Sequence, residues 1–235
     1  MKACHLMKLA IMQPYFFPYI GYFQLINSVG TFVIYDDVNY IKQGWINRNR
    51  ILLNNTDYML SLRLAGASSF KLINEIQTGD NKGKLLKTIS QAYAKAPFYG
   101  DSISVIEDAL SNNESNLARF VARSIVLVSE YLQIKARFLL SSEIAKNNSL
   151  KADDKVIHIC NILGAKHYIN ASGGTELYSK QKFMDAGIKL EFIKSKPITY
   201  KQFNNNLVPW LSIIDVMMFN SKEAIIDMLN QYDLV

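Results

Sequence analysis

Short apolar runs and segments with helical periodicity alternate near the beginning of the chain. Residues 9–12 are apolar and end at the pair Gln13-Pro14, which is typical of a buried strand. Residues 19–27 have apolar side chains at helical spacing, and residues 31–35 form a second apolar run. Together these segments predict a strand–helix–strand unit of about 30 residues, the size of a βαβ crossover.

The same alternation returns in the last third of the chain. Gly164 and Gly187 each follow a predicted helix, in the position where glycine commonly ends one. Strands that alternate with helices predict an α/β fold with a mainly parallel sheet flanked by helices, a Rossmann-like arrangement. The predicted elements of this part are strands at residues 167–170 and 189–193 and helices at residues 153–163, 176–186, 211–219 and 222–232.

The middle of the chain has a different pattern. Residues 38–57 are polar and rich in turn formers, and strand-like pieces follow near residues 58–64 and 71–76. Residues 81–149 then lose β character. They contain three helical stretches, at residues 82–95, 102–110 and 115–131.

Asn113 and Ser115 are candidate N-terminal caps of the third of these helices. Because β/α alternation resumes only afterwards, we predict a helical insertion or subdomain at residues 81–149. The α/β core then consists of residues 7–80 and 150–235.

The composition is that of a globular protein. Hydrophobic residues make up 49% and charged residues 20% of the 235 positions, which argues against a disordered chain. No apolar stretch reaches the ~18 residues of a membrane span, and the run before Gln13 is too short for a signal peptide. Cys4 and Cys160 form no CxxC motif, which suits a reducing compartment. We therefore expect a cytoplasmic protein with no membrane contact, and the repeated Met-Lys pair makes Met7 a candidate start.

The net charge of +6 is spread along the chain, without a run of Lys and Arg long enough for a nucleic-acid arm. We therefore expect no DNA partner. A mild positive field suits an anionic partner, such as a nucleotide-linked substrate, an acidic acyl or peptidyl carrier protein, or tRNA. Ordinary solubility charge is the alternative explanation. His5, His158 and His167 lack metal-ligand spacing, so we expect no metal site.

The first candidate site is the aromatic corner, residues 13–22, where the first strand meets the first helix. In open parallel sheets, ligands bind beyond the carboxyl ends of the strands, and a helix N-terminus favours anions. Gly21 lies inside the helix at a cost of roughly 1 kcal/mol, which a close backbone approach would explain. The alternative is a rigid packed corner without a ligand. The candidate residues are Gln13, Tyr15 and Gly21 for binding and Tyr19 and Tyr22 for catalysis.

The tetrapeptide Tyr19-Ile20-Gly21-Tyr22 resembles the His-Ile-Gly-His signature of nucleotidyltransferases and class I tRNA synthetases. In that signature the histidines contact nucleotide phosphates. Both histidines are tyrosines in this chain, and tyrosine cannot supply an imidazolium. The resemblance therefore implies a distantly nucleotidyltransferase-like fold, and the two tyrosines argue against inherited adenylyl chemistry.

Asp36 and Asp37 follow the second strand and introduce the second candidate site. Carboxylates there could orient a substrate amine, bind a metal or act as a general base, whereas a turn or cap is the alternative. The next residues offer guanidinium groups, amides and an indole, which can grip a phosphate or carboxylate beside a ring. The candidate residues of this segment are Tyr40, Lys42, Trp45, Asn47, Arg48, Asn49 and Arg50.

A third candidate is the loop Ser172-Gly173-Gly174 between a predicted strand and helix. Its backbone amides could cradle an anion, although no P-loop lysine follows at the usual spacing. A plain glycine-containing turn is the alternative.

Two long blocks of the sequence resemble the WbqC-like family. They are MKLAIMQPYFFPYIGYFQLI and FVIYDDVNYIKQGWINRNRI, and the later pieces HYINASGGTELY, DAGIKLEF and VPWLSIIDVMMFN fit as well. The resemblance implies a place in the biosynthesis of bacterial O-antigen or other surface polysaccharides. Some members have been suggested to transfer glycine or another aminoacyl group to a sugar. It supplies no catalytic residues, so the site residues rest on motif position and chemistry.

The leading expectation is N-acylation of a nucleotide-linked amino sugar. The donor would be a carrier-protein phosphopantetheine thioester or an aminoacyl-tRNA. Asp36 or Asp37 would take the amine proton. Oxyanion donors would be Tyr19, Tyr22, Asn47 or backbone amides, and phosphate would be held by Lys42, Arg48 and Arg50. An ATP-dependent ligase or nucleotidyltransferase and a non-catalytic carrier-protein docking module are the alternatives. Each site hypothesis requires the aromatic corner and the Trp45–Arg50 segment to meet in one hollow.

Overall fold

The computed structural model describes residues 7–203 and 206–235, so Cys4 and His5 lie outside the described residues. The strands are β1 (Lys8–Met12), β2 (Thr31–Ile34), β3 (Arg48–Leu53), β4 (Thr56–Ser61), β5 (Leu64–Ala65), β6 (Gln77–Thr78), β7 (Arg137–Leu140), β8 (His167–Ala171), β9 (Lys189–Ser195) and β10 (Tyr232–Leu234). The helices are α1 (Ile20–Asn27), α2 (Lys82–Tyr93), α3 (Tyr99–Leu110), α4 (Leu117–Tyr131), α5 (Ala152–Ile162), α6 (Lys180–Asp185), α7 (Ile213–Phe219) and α8 (Lys222–Met228).

Six strands form the central sheet in the order β10-β9-β8-β1-β2-β7. Five strands of this sheet run parallel to one another: β1, β2, β7, β8 and β9. The sixth, β10, pairs antiparallel with β9. The predicted α/β class with a mainly parallel sheet is confirmed. From β1 the chain adds β2 and β7 on one side and then β8 and β9 on the other. The strand order therefore reverses between β1 and β8, which is where open α/β sheets bind ligands.

Both faces of the sheet are covered by apolar layers. Successive residues of a strand point to opposite faces, so Ala10 of β1 joins one core while Leu9 and Ile11 join the other. The larger core includes α1, α7 and the helices α2 to α4, and the smaller core lies under α5 and α6. In the smaller core the rings of Tyr168 and Phe183 stack with centroids 5.4 Å apart. Strands buried on both faces explain why the sequence shows them as continuous apolar runs.

The polar segment predicted as a turn-rich loop contains strand β3, which pairs with β4 in a separate hairpin. Asn54 and Asn55 connect the two strands with φ angles of 51° and 63°. Asparagine tolerates this left-handed conformation, and two such residues suit a tight hairpin turn. The prediction missed β3 because its alternation of Arg and Asn with buried positions resembles a polar loop.

The helices α2 to α4 fall within the range predicted as helical. The side chain of Asn116, rather than Asn113 or Ser115, caps α4 by accepting from the Arg119 amide at 3.2 Å. The same range, residues 81–149, also contains β7, which pairs with β2 in the central sheet. The division between core and insertion therefore differs from the predicted one, because the chain re-enters the sheet before residue 149.

Three further elements differ from the prediction. Residues 73–75 form a short 3₁₀ helix rather than a strand, and the predicted helix 176–186 is reduced to α6. The last helix ends at Met228, short of the predicted residue 232, where the unpredicted strand β10 begins. Within the two described ranges, no helix combines the length and apolar character needed to cross a membrane.

Candidate functional site

A hollow of about 500 Å³ opens at the point where the strand order reverses. Its floor is formed by the carboxyl ends of β1, β8 and β9, and its walls by α1, β3 and the residues before α7. The lining residues are Met12, Tyr15, Pro18, Tyr19, Gly21, Tyr22, Leu25, Trp45, Asn49, Arg50, Ala171, Ser172, Ile193, Lys194, Ser195 and Trp210. The aromatic corner and the segment around Trp45 and Arg50 thus meet in one hollow.

Asn49 joins these two segments. It is buried in β3, and its side-chain amide donates to the carbonyl oxygens of Phe16 at 3.1 Å and Phe17 at 2.9 Å. The Phe16 amide donates in turn to the carbonyl oxygen of Trp45 at 2.9 Å. Phe17 has a φ angle of 40°, which few non-glycine residues adopt, and Ser212 Oγ donates to its carbonyl oxygen at 2.6 Å. These bonds fix the corner, so the position of Asn49 is primarily structural.

Three phenols of the corner line the hollow as neutral groups. Tyr22 is buried and donates from its hydroxyl to the carbonyl oxygen of Gln13 at 2.8 Å. Burial raises the pKa values of Tyr15, Tyr19 and Tyr22, and the neighbouring Tyr15 raises that of Tyr22 further. At neutral pH these hydroxyls are therefore hydrogen-bond donors and not bases. Gln13 contributes its main chain to the corner and does not line the hollow.

The positive charge of the hollow comes from Arg50 and Lys194. The Arg50 guanidinium lies 6.0 Å from the centre of the Trp45 ring, and its Nη1 is 3.2 Å from Asp57 Oδ2. Its Nε atom is buried without a hydrogen-bond partner among the described residues. No Asp, Glu or His is among the described residues that line the hollow. The hollow is thus suited to an anionic ligand with a flat ring.

The N-terminus of α1 faces the same hollow. Tyr19 is the N-cap residue, and its side chain makes no capping hydrogen bond. The first amides of a helix lack partners within the helix, and an anion can satisfy them. Tyr19 and Gly21, which begin the helix, both line the hollow. This placement agrees with the position argued from the sequence.

Asp36 does not reach the hollow. It is buried, and its Oδ1 accepts from the Ser142 amide at 2.9 Å. Its Oδ2 accepts from Ser142 Oγ at 2.6 Å and from Asn74 Nδ2 at 3.4 Å. Both oxygens are occupied by contacts that join three loops. The alternative role as a cap or turn residue fits this geometry, and a role as catalytic base does not.

Asp37 also lies outside the hollow. Its Oδ2 is 2.8 Å from Lys146 Nζ and 3.4 Å from Lys155 Nζ, and all three side chains are largely buried. Burial alone would raise the pKa of Asp37. The contact with Lys146, the nearby Ser141 hydroxyl and the charges of both lysines outweigh burial and lower the pKa of Asp37. The carboxylate is therefore held ionised in an ion pair, which does not suit a base for the hollow.

Four other predicted residues lie outside the hollow. The Tyr40 hydroxyl donates to Asn47 Oδ1 at 2.8 Å, and Asn47 Nδ2 donates to the Leu62 carbonyl oxygen at 2.8 Å. The Arg48 guanidinium is turned to the carbonyl oxygens of its own loop, including that of Gly44 at 3.0 Å. Lys42 is exposed in that loop. Of the seven residues predicted between positions 40 and 50, three line the hollow: Trp45, Asn49 and Arg50.

The loop Ser172-Gly173-Gly174 contributes little to the lining of the hollow. Ser172 lines the hollow, whereas Gly173 and Gly174 do not. The loop forms a short 3₁₀ helix, and α6 begins only at Lys180, so no helix N-terminus follows directly. A Cβ atom on Gly174 would lie 2.5 Å from Asn170 Nδ2. The glycine is therefore explained by packing, and the expected anion cradle is not formed there.

The sequence analysis missed Lys194, Ser195 and Trp210. The first two lie at the carboxyl end of β9, which the prediction ended at residue 193. Trp210 follows Pro209 in a polar loop, with a φ angle of 60° and 58% of its surface exposed. A tryptophan in such a loop was a signal for a ligand contact. Within the two described ranges, no three His, Cys, Asp or Glu side chains lie close enough to hold a metal ion.

The fold and the hollow define an α/β protein with a candidate ligand-binding site at the reversal of its strand order. The model of the WbqC-like protein family matches residues 13–227, and the chain belongs to that family. A protein of Mycobacterium tuberculosis (strain ATCC 25618 / H37Rv), named Uncharacterized protein Rv1507c, is 25% identical over 224 residues. The match covers 92% of this chain and 95% of that protein. No solved structure matches the chain significantly.

Proposed function

We propose that this protein is a cytoplasmic enzyme of bacterial surface-polysaccharide biosynthesis, which transfers an acyl or aminoacyl group to the amine of a nucleotide-linked amino sugar. The observation that supports this most directly is the convergence of aromatic rings, Arg50, Lys194 and the N-terminus of α1 on one hollow. Membership of the WbqC-like family supports the proposed biological setting.

A nucleoside diphosphate matches the chemistry of the hollow. Its base can lie against the faces of Trp45, Tyr15 or Tyr19, and its diphosphate can accept from Arg50 and the first amides of α1. The hollow, at about 500 Å³, is within the range of about 300–1,000 Å³ that small-molecule sites occupy. The Nε–H group of Arg50 has no acceptor among the described residues, so it is free to donate to the diphosphate.

The reaction we propose is aminolysis of a thioester or ester. The sugar nitrogen forms a bond to the acyl carbon, the carbon–sulfur or carbon–oxygen bond breaks, and the amine proton passes to the leaving thiol or hydroxyl. A neutral amine is already a good nucleophile, so the enzyme mainly positions the reactants. Protonated phenols such as Tyr15 and Tyr19 can donate to the developing oxyanion. Because no carboxylate lines the hollow, this mechanism replaces the aspartate base expected from the sequence.

The donor is proposed to be an activated group on a carrier. A phosphopantetheine thioester on an acidic carrier protein and an aminoacyl-tRNA are both anionic, and both suit a chain with a net charge of +6. Each carries a carbonyl that an amine can attack without a protein nucleophile. Transfer of the group from a carrier to a nucleotide sugar is detected as a mass increase of the sugar product.

Calorimetry with UDP, GDP and dTDP, each alone and linked to an amino sugar, tests the nucleotide site. We expect one nucleotide to bind, and we expect Arg50→Gln to weaken its binding about tenfold through the loss of a phosphate contact. Arg63→Gln is the matched control, since Arg63 is exposed and pairs only loosely with Asp80 at 4.0 Å. If none of the nucleotides binds, or if both variants bind as the unmodified protein does, the proposal fails.

An ATP-dependent ligase or nucleotidyltransferase is the second candidate. The observation that favours it is the position of Tyr19-Ile20-Gly21-Tyr22 at the start of α1, the helix that follows β1, with Tyr19, Gly21 and Tyr22 lining the hollow. It requires binding of Mg-ATP and release of pyrophosphate or ADP with the substrates present. Saturable Mg-ATP binding, together with pyrophosphate release, would favour this candidate over acyl transfer from a carrier.

A further inference from the structure

A second cavity of about 220 Å³ lies beside the hollow. The two share Tyr19 and Trp210, whose ring centroids are 5.1 Å apart. A substrate held in the hollow and a group held in the second cavity would therefore meet at this aromatic pair. The described residues that line the second cavity are Tyr19, Pro197, Ile198, Thr199, Tyr200, Leu207, Pro209 and Trp210.

The walls of the second cavity are held in place from below. Asp215 is fully buried and accepts from the Tyr200 hydroxyl at 2.6 Å and from Gln202 Nε2 at 2.7 Å. Gln202 also accepts from the Val208 amide at 2.8 Å and donates to the Val208 carbonyl oxygen at 3.2 Å. These contacts fix the chain that leads to Trp210. The cavity is thus preformed, as a binding site needs to be.

The two compartments differ in charge. Arg50 and Lys194 line the hollow, whereas the described residues around the second cavity include no charged side chain. The carboxylate of Asp215 lies behind Tyr200 and accepts a hydrogen bond from the Tyr200 hydroxyl. A charged group placed in the second cavity would lose water without gaining an ionic partner. Its volume is also below the roughly 300 Å³ at which sites for whole small molecules begin.

We infer that the second cavity binds the acyl group of the donor, and that this group is small and uncharged. The inference rests on the proposed transfer reaction and narrows its substrate class. An α-amino group has a pKa of about 8 and is mainly an ammonium at neutral pH. An aminoacyl donor would bring that charge into the second cavity, whereas an acetyl-like donor would not. The acyl carbonyl would lie at the edge of the Tyr19–Trp210 pair, which lines both cavities, where the sugar amine reaches it.

The fluorescence of the two tryptophans can be used to follow binding in the second cavity. Trp45 and Trp210 both line the hollow, and only Trp210 lines the second cavity. A Trp45→Phe variant leaves Trp210 as the sole fluorescent indole, and its emission is followed during titration with S-acetyl-pantetheine and S-glycyl-pantetheine. We expect a saturable change with a Kd about tenfold lower for the acetyl compound, a difference of about 1.4 kcal/mol. Equal or tighter binding of the glycyl compound overturns the inference.

Filling the second cavity gives an independent measurement. Thr199 is exposed at its rim, so Thr199→Phe adds volume without disturbing the core. In the Trp45→Phe background we expect Thr199→Phe to weaken S-acetyl-pantetheine binding about tenfold. Thr56→Phe in the β3–β4 hairpin is the control for an added exposed ring. Unchanged binding in Thr199→Phe contradicts the assignment.

Nucleotide binding distinguishes failure of this inference from failure of the proposed function. Thr199 does not line the hollow, so calorimetry should give the same nucleotide affinity for Thr199→Phe as for the unmodified protein. If the nucleotide binds and neither pantetheine compound does, only the second-cavity assignment is wrong. If no nucleotide binds at all, the proposed function itself is wrong.

Discussion

Gly21 of α1 faces Ser195 at the end of β9, and a Cβ atom on residue 21 would stand 2.7 Å from Ser195 Oγ. The close approach expected from a glycine inside a helix is therefore present, and it is made to a neighbouring strand. It brings α1 against the carboxyl end of β9 and sets one side of the hollow.

Gly21→Ala tests this contact. Alanine favours the helix by about 1 kcal/mol, but the methyl group displaces the Ser195 hydroxyl. We expect the free energy of unfolding, measured by urea titration, to change by less than about 1 kcal/mol. Nucleotide affinity should fall, because the displaced hydroxyl enters the hollow. The double variant Gly21→Ala, Ser195→Ala should recover most of that affinity, and a purely additive double variant would contradict the contact.

The main effect of Asp37→Asn should be a loss of stability and not a loss of a catalytic group. The substitution leaves Lys146 and Lys155 largely buried without their carboxylate, which typically costs about 3–5 kcal/mol. Urea unfolding at pH 7 measures this loss. Asp154→Asn is the control, because its pair with Lys182 is exposed to solvent and should contribute little to the free energy of unfolding. A stable Asp37→Asn protein without transfer activity would restore the aspartate-base mechanism.

The same ion pair predicts a direction for the pH dependence. The pKa of Asp37 in the folded protein is lowered from its ordinary value of 3.8. The stabilisation that the ionised carboxylate gives to the folded state is therefore fully present above pH 3.8. The contribution is lost as the pH falls through the lower folded pKa. The difference in unfolding free energy between the unmodified protein and Asp37→Asn should therefore shrink below about pH 4. A constant difference down to pH 2.5 would contradict the lowered pKa.

Asn49→Asp should disrupt the aromatic corner while preserving side-chain shape. The carboxylate cannot donate to the carbonyl oxygens of Phe16 and Phe17, and its charge would be buried against them. We expect a loss of about 1–3 kcal/mol in unfolding free energy, with weaker nucleotide binding. Asn54→Asp, in the exposed turn of the same hairpin, should change stability by about 0.5 kcal/mol or less. Equal effects of the two substitutions would remove Asn49 as the link between corner and hairpin.

The pH profile of transfer should report the substrate amine. Burial raises the pKa values of Tyr15 and Tyr19, so neither phenol ionises near neutral pH. The rate should rise with pH around the amine pKa, about 8 for an α-amino group and specific to the sugar used. Tyr15→Phe and Tyr19→Phe should lower the rate without moving the midpoint. A midpoint that moves in either variant would identify that phenol as the titrating group.

The sequence located the aromatic corner correctly because its position follows from local pattern alone. A strand that ends in Gln13-Pro14 and is followed by a helix places the next residues at a strand's carboxyl end. The other contributors could not be placed in this way. Lys194 and Ser195 join the hollow because β8 and β9 pair on the opposite side of β1, and strand order is not readable from periodicity. Trp210 reaches the hollow from the segment between β9 and α7.

Asp36 and Asp37 show that a local motif does not reveal which distant residues its side chains contact. Their position after β2 suggested chemistry, and the partners that occupy them come from residues more distant in the sequence. Ser142, Lys146 and Lys155 all lie beyond the helical segment, and nothing near residue 37 indicates that they return to it. β7 was missed for a related reason, since its four residues are too few to show a period.

The central position of β1 has a consequence for synthesis of the chain on the ribosome. Its neighbour β2 emerges soon after it, but its neighbour β8 and the next strand, β9, emerge only after all the helices from α1 to α5. Until then one edge of β1 remains unpaired and exposed, a state prone to association with other chains. The central sheet can therefore be completed only after strands that are distant in the sequence have paired, and such pairings form slowly. Chaperones that protect the newly made chain during this time would help it to fold.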